Sequence, residues 1–190
     1  MGGTRRVAND PGRKARILRA ALDVIAERGV HKTTHRLIAE RADVPLGSLT
    51  YHFDGIEAIF EQSFALLAEE MAGDYREALT AAADRPAACA AVADLICGPE
   101  YASPREMALL FEMYSFATFN SAVTDVMRAW LRASRASLSR HFPPDACRAL
   151  DALIEGWSLH RIVEREPLDR AVVLAAVTAI ADRLGASETP

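Results

Sequence analysis

The chain has 190 residues, of which 51% are hydrophobic and 25% charged, with a formal net charge of −4. It is long enough to bury a core and too apolar to remain disordered, which leaves a globular protein of one or two domains. The net charge hides a split: residues 1–53 carry ten Arg or Lys against five Asp or Glu, and residues 54–190 carry twelve against twenty-one, so a polyanionic partner is expected at the N-terminal end only.

Helical spacing runs through nearly the whole chain, and strand alternation almost nowhere. Residues 1–10 and the last five read as disordered. Asp10 and Pro11 supply a helix start, after which Ile17, Ala21, Val24 and Ile25 share one face. Gly29 is placed to close that helix in the left-handed conformation. Thr33 or Thr34 caps a second helix that carries Leu37 and Ile38 and ends at Ala42. The stretch ADVPLGSLTYHF, residues 42–53, then makes a turn and a helix of barely two turns, which would be marginal alone in water. A fourth helix starts near Ile56 and carries Ile59, Phe60, Phe64, Leu67 and Met71. Pro86 opens a fifth, stopped by Gly98-Pro99. Ser103-Pro104-Arg105-Glu106 is a capping box with Pro at the first helical position; Met107, Leu110, Phe111 and Tyr114 follow on one face. Asn120 or Ser121 begins a helix to about His141, and the last two span about 145–163 and 168–184. The expectation is an all-α fold of about nine helices, divided into a head, residues 1–55, and a helical body, residues 56–190.

The short third helix is informative. Ala39 is small where two helices must cross closely, Asp43 stands four residues on where the chain turns, and Leu49 stands ten residues on as an apolar anchor. Asp is one of the few residues other than Gly that enter positive φ cheaply. This is the spacing of a helix-turn-helix. Leu37, Ile38, Val44 and Leu49 can bury together, which leaves Gly47, Ser48, Thr50, Tyr51 and His52 outside. A short helix held from behind, with small donors in front, suits a DNA major groove.

Residues 33–59, TTHRLIAERADVPLGSLTYHFDGIEAI, resemble the DNA-binding head of the TetR family of transcriptional regulators. The shared pattern is a Thr pair, Ile-Ala, a turn, a Gly-Ser-Leu recognition helix, Tyr-His-Phe and a fourth helix. The resemblance implies a homodimer whose two heads bind a palindromic operator in double-stranded DNA, and a small-molecule pocket in the body that controls them. The function implied is a ligand-responsive repressor released by an apolar or aromatic effector. Matched position by position, it implies helix capping and phosphate contact by Thr33 and Thr34, close backbone approach at Gly47, and base-edge or phosphate contact by Ser48 and Thr50. It further implies phosphate contact by Tyr51 and His52, with Arg36 directed at the DNA backbone. The chain also departs from the pattern. Asp43 stands where Gly is common, Pro45 where a Ser would cap, Leu46 where Lys or another polar residue is frequent, and Asp54 and Ile56 where Lys is. Affinity is then expected to lean on Arg5, Arg6, Arg13, Lys14, Lys32 and Arg36, with Leu46 meeting a thymine methyl. The alternative is a helical interaction protein or small enzyme whose head no longer binds DNA.

Other chemistry is sparse. Cys89, Cys97 and Cys147 have no metal spacing and read as reduced thiols of a cytoplasmic protein. His31 and His35 are four apart but lack further ligands. No nucleophile elbow, phosphate loop or paired carboxylates can be picked out, so no catalytic residue, metal or cofactor is expected. The longest uncharged aliphatic run, Ala171 to Ala181, is about half of what a bilayer span needs, so no membrane partner is expected.

Two further sets carry expectations. Met107, Phe111, Tyr114 and Trp130, with Trp157, are candidates for an adaptable apolar pocket, and Glu112 within it is a candidate counter-ion for a cationic ligand. The final helix, AVVLAAVTAIA, is apolar all round and must be covered on every side. With the helix before it, it is expected to build a four-helix dimer seam from Ala149, Ala152, Gly156, Val163, Val172, Ala176, Val177 and Ile180.

Overall fold

The computed structural model describes residues 12–99 and 101–185. Among them nine α-helices run in chain order: α1 Arg13–Arg28, α2 His35–Arg41, α3 Leu46–His52, α4 Ile56–Ala81, α5 Arg85–Cys97, α6 Pro104–Ala117, α7 Ser121–Leu138, α8 Pro144–Val163 and α9 Arg170–Gly185. The all-α expectation and the helix order hold. The helix start at Asp10-Pro11, and Arg5 and Arg6, lie outside the described residues.

Most of the expected starts work through the side chains that signalled them. Thr34 caps α2 by accepting the Leu37 N–H at 3.3 Å, and Asn120 caps α7; α5, expected from Pro86, is capped by Asp84. The capping box at α6 is complete: Ser103 Oγ accepts the Glu106 N–H at 3.3 Å, and Glu106 accepts the Ser103 N–H at 2.8 Å. Gly29 is the exception. Its φ is +77°, a value that favours glycine, but ψ is 161°, so α1 ends without a left-handed helical cap. The chain passes instead into a single 3₁₀ turn, Val30–Lys32, that buries Val30. A helical ψ at Gly29 would have kept the chain curling rather than crossing to start α2.

The chain divides into two compact units, residues 1–63 and 64–190, with the division inside α4. In the first unit, Ile17, Leu22, Ile25, Ile38 and Leu49 are fully buried. The α2–α3 turn is a helix-turn-helix connection. Asp43 has φ +50°, the Val44 N–H donates to Ala39 O at 3.0 Å, and the Asp43 N–H donates to Glu40 O at 3.2 Å. Ala39 and Ala42 are buried where the helices meet, as close crossing requires small side chains. Arg16 on α1 fastens the turn from behind by donating to Ala42 O at 3.3 Å.

In the second unit, α9 packs along α5 and α8, while α6, α7 and α8 pack against one another. Two polar devices sit inside this body. Asp151, 3% exposed, accepts from Ser134 Oγ at 2.7 Å and from Arg135 Nε at 2.9 Å. Arg161 on α8 donates to the carbonyls of Ile96, Gly98, Tyr101 and Ala102, and so ties down the α5–α6 connection, where Ala102 is held at φ +51°. These are charge-assisted bonds, the stronger kind. No helix of the described residues is long and apolar enough to cross a membrane.

Candidate functional site

Helix α3 has seven residues, and Leu49 is the one among them that is buried. Leu46 is 52% and Tyr51 79% exposed; Gly47 and Thr50 are exposed, and Ser48 and His52 half-buried. Pro45 gives the helix no side-chain cap, so the Ser48 N–H turns back to Pro45 O at 2.8 Å. The Thr50 hydroxyl donates to Gly47 O at 3.2 Å, and the Tyr51 and His52 rings meet edge-on at 4.9 Å. A side chain built at Gly47 would meet no atom within 4 Å. The fold itself does not require glycine there.

Two of the expected cations, Lys14 and Arg36, are exposed in the head. Lys14 has its ammonium 5.6 Å from the Phe53 ring centroid, and Arg36 lies on α2. Thr34 caps α2 and stays exposed. Thr33 is different: it is 5% exposed, and its hydroxyl donates to Gly29 O at 2.8 Å. The phosphate contact expected of it is corrected on that ground, since the hydroxyl is spent holding the α1–α2 connection.

The body holds a cavity of about 420 Å³. Met107, Leu110, Phe111 and Tyr114 of α6 and Trp130 of α7 form one side of it, joined by Met71 of α4 and by Tyr101 and Ala102. Opposite stands the stripe of α8 from Ala152 through Glu155, Gly156 and Ser158 to Leu159. The polar groups are few. Tyr114 donates its hydroxyl to Glu155 Oε2 at 2.7 Å, and Ser158 Oγ is buried without a partner. Burial, with Asp151 adding like charge, raises the Glu155 pKa against the lowering effect of the Tyr114 bond. Burial and the carboxylate also push the Tyr114 hydroxyl well above its usual range.

Four of the expected pocket residues, Met107, Phe111, Tyr114 and Trp130, come together in this lining. Glu112 and Trp157 do not; both are half-buried outside it. Glu112 follows Phe111 by one residue, which turns it about 100° away around α6. The acidic group in the cavity is Glu155, which the sequence reading missed. Its signal was available as Ala152, Glu155, Gly156 and Leu159 at helical spacing, but that small-residue face was assigned to a dimer seam. Ala152, which is exposed, and Gly156, which is half-buried, both line the cavity. Val177 is corrected: it is fully buried inside its own chain. Val163 and Val172 are 73% and 59% exposed, and Ala149, Ala176 and Ile180 are half-buried. Of the cysteines, Cys89 and Cys147 are buried and Cys97 partly so, and burial raises the pKa of all three thiols.

Residues 17–62 match the family described as bacterial regulatory proteins, tetR family. A candidate transcriptional regulator of Streptomyces coelicolor A3(2), SCO7518, has a solved structure 46% identical in sequence, with a TM-score of 0.83 over 90% of this chain and 99% of that one. The multidrug-binding protein EbrR, solved with ethidium, is 27% identical with a TM-score of 0.73, over 89% of this chain and 98% of that one. The HTH-type transcriptional repressor KstR2 of Rhodococcus jostii (strain RHA1) is 36% identical over 73 residues, 38% of this chain. That alignment spans 36% of the length of KstR2.

Proposed function

Because the chain belongs to the TetR family of bacterial regulatory proteins, a transcriptional regulator rather than an enzyme, we propose that it is a homodimeric repressor. In this reading two α3 helices occupy successive major grooves of a palindromic operator, and a small apolar or aromatic molecule in the body cavity releases them. The observation that carries the reading is the outward side of α3. Gly47, Thr50 and Tyr51 are exposed on a helix whose only buried member is Leu49, so the helix is positioned by the head and its front makes no contribution to the core.

Within that reading Tyr51, Ser48, Thr50 and His52 meet base edges and phosphates, and Leu46 offers an apolar surface to a thymine methyl. Lys14 and Arg36 hold the phosphate backbone, with the N-terminus of α2, capped by Thr34, beside them. The missing lysines of α3 leave the salt dependence to these flanking cations. The head spans residues 1–55 and the regulatory body residues 56–190. Repression is the activity named for KstR2, and drug-sized aromatic ligands are those named with EbrR. The dimer seam is built from Val163, Val172, Ala176 and Ile180, with Ala149, which keep apolar surface at the outside of α8 and α9.

The test is binding to duplex DNA from the region adjoining the protein's own gene. Sequence-selective, salt-dependent binding that a cavity ligand weakens supports the reading, and operator DNA must then weaken the ligand by the same factor. Equal affinity for that DNA and for a shuffled duplex overturns it in favour of a helical protein whose head no longer reads DNA.

A further inference from the structure

The cavity is apolar except along one edge, and that edge is chemically specific. Glu155 and Ser158 are three residues apart on α8, so they lie on the same face one turn apart. Both line the cavity. The hydroxyl of Tyr114 reaches Glu155 from α6 at 2.7 Å. Ser158 is 2% exposed, and its Oγ has no hydrogen-bond partner. A buried hydroxyl left unpaired is uncommon and marks a place where something is missing.

The carboxylate accepts from Tyr114 but, among the described residues, has no ion-pair partner. The nearest cation with influence on it, Arg135, is already bound to Asp151 at 2.9 Å. Glu155 is half-buried, and beside apolar walls a carboxylate without a cation of its own is stabilised by an incoming positive charge. The remaining walls favour the same charge. Phe111, Tyr114, Trp130 and Tyr101 bring four aromatic rings to one cavity, and aromatic faces attract cations.

Resting on the reading of this cavity as the effector site, we infer that its ligand is an apolar protonated amine, bound with its N–H groups on Glu155 and Ser158 and its body against the aromatic rings. The acceptor for the charge is therefore Glu155 and not Glu112, which lies outside the lining. Tyr114 holds one carboxylate oxygen, which leaves the other free to accept from the ligand. At about 420 Å³ the cavity is near the lower end of the range for small-molecule sites, about 300–1,000 Å³, and it suits a compact two-ring or three-ring body. No metal or covalent step is involved.

The test uses two probes of equal size on the full chain, followed by isothermal titration calorimetry at pH 7. One is 1-(aminomethyl)naphthalene, which is a cation; the other is 1-naphthalenemethanol, its neutral counterpart. The wild-type protein binds the amine at least tenfold more tightly than the alcohol. Glu155→Gln brings the two affinities within threefold of each other while alcohol binding stays within threefold of wild type, which shows the cavity intact. Glu112→Gln keeps the amine preference. Equal binding of both probes to wild type, or a preference that survives Glu155→Gln or disappears in Glu112→Gln, overturns the amine assignment and leaves the cavity as a site for neutral ligands. Binding of neither probe overturns this inference together with the effector reading of the cavity, while the DNA-binding reading of the head stands on its own titration.

Discussion

Replacing Gly47 by Ala separates what the fold needs from what a bound duplex needs. The added methyl group would meet no heavy atom within 4 Å, and Gly47 lies within α3, so an alanine fits its backbone. Glycine inside a helix costs roughly 0.5–1 kcal/mol relative to alanine, mostly in backbone entropy. Gly47 is in the first turn, so the lower figure applies, about 0.5 kcal/mol of added stability for the head. Urea unfolding followed by circular dichroism measures it. The same methyl stands out from the exposed side of α3, where the DNA backbone is proposed to approach. Operator affinity, measured by fluorescence anisotropy, is expected to fall at least tenfold, about 1.4 kcal/mol. Stability and affinity then move in opposite directions, which a general loss of structure cannot imitate. A variant that binds the operator as well as wild type would refute the placement of Gly47 against DNA.

Leu49→Ala removes the one buried side chain of α3 and should destabilise the head by about 2–5 kcal/mol, read as a loss in urea midpoint. Operator binding should fall with it. Val172→Arg puts a charge on the exposed side of α9, and sedimentation equilibrium should show monomer at micromolar concentration; a persistent dimer would place the interface elsewhere. Glu155 has a raised pKa in the folded chain, chiefly through burial. Its contribution to stability is therefore fully present below the unfolded value of 4.5 and is lost as pH rises through the raised folded value. Glu155→Gln should flatten that loss in a series of urea titrations across mildly acidic pH.

The parts of this molecule legible in its sequence are those governed by local rules. Helix starts at Ser103, Asn120 and Thr34 depend on side chains within three residues, and the turn at Asp43 depends on one backbone angle. Leu49 was recognisable because it is the sole anchor of a helix too short to stand alone. What escaped depends on which helix faces which. Glu155 and Tyr114 are 41 residues apart, and no local pattern says that α6 and α8 will bring them together. The small residues Ala152 and Gly156 are ambiguous for the same reason, since close helix packing and an open cavity both favour a missing side chain. Glu112 stands out in the sequence because it lies among aromatic residues; one residue of helical rotation takes it out of the cavity lining. Val177 was misplaced because an all-apolar helix does not reveal which stripe meets its own chain and which meets solvent. Arg161, whose four carbonyl partners include those of the cavity-lining Tyr101 and Ala102, gave no signal, because its acceptors are backbone atoms about sixty residues away.

The outward face of α3 carries the proposed DNA recognition, and the double variant Thr50→Ala, Tyr51→Ala tests it most directly. Both residues are exposed, so circular dichroism and oligomeric state should match wild type. Anisotropy titrations on operator and shuffled duplexes, at several salt concentrations, should show the wild type preferring its operator by roughly a thousandfold or more. In the double variant that preference should vanish, leaving only salt-dependent binding that ignores sequence. Operator affinity and selectivity unchanged in a correctly folded double variant would contradict the assignment of α3 as the element that reads DNA.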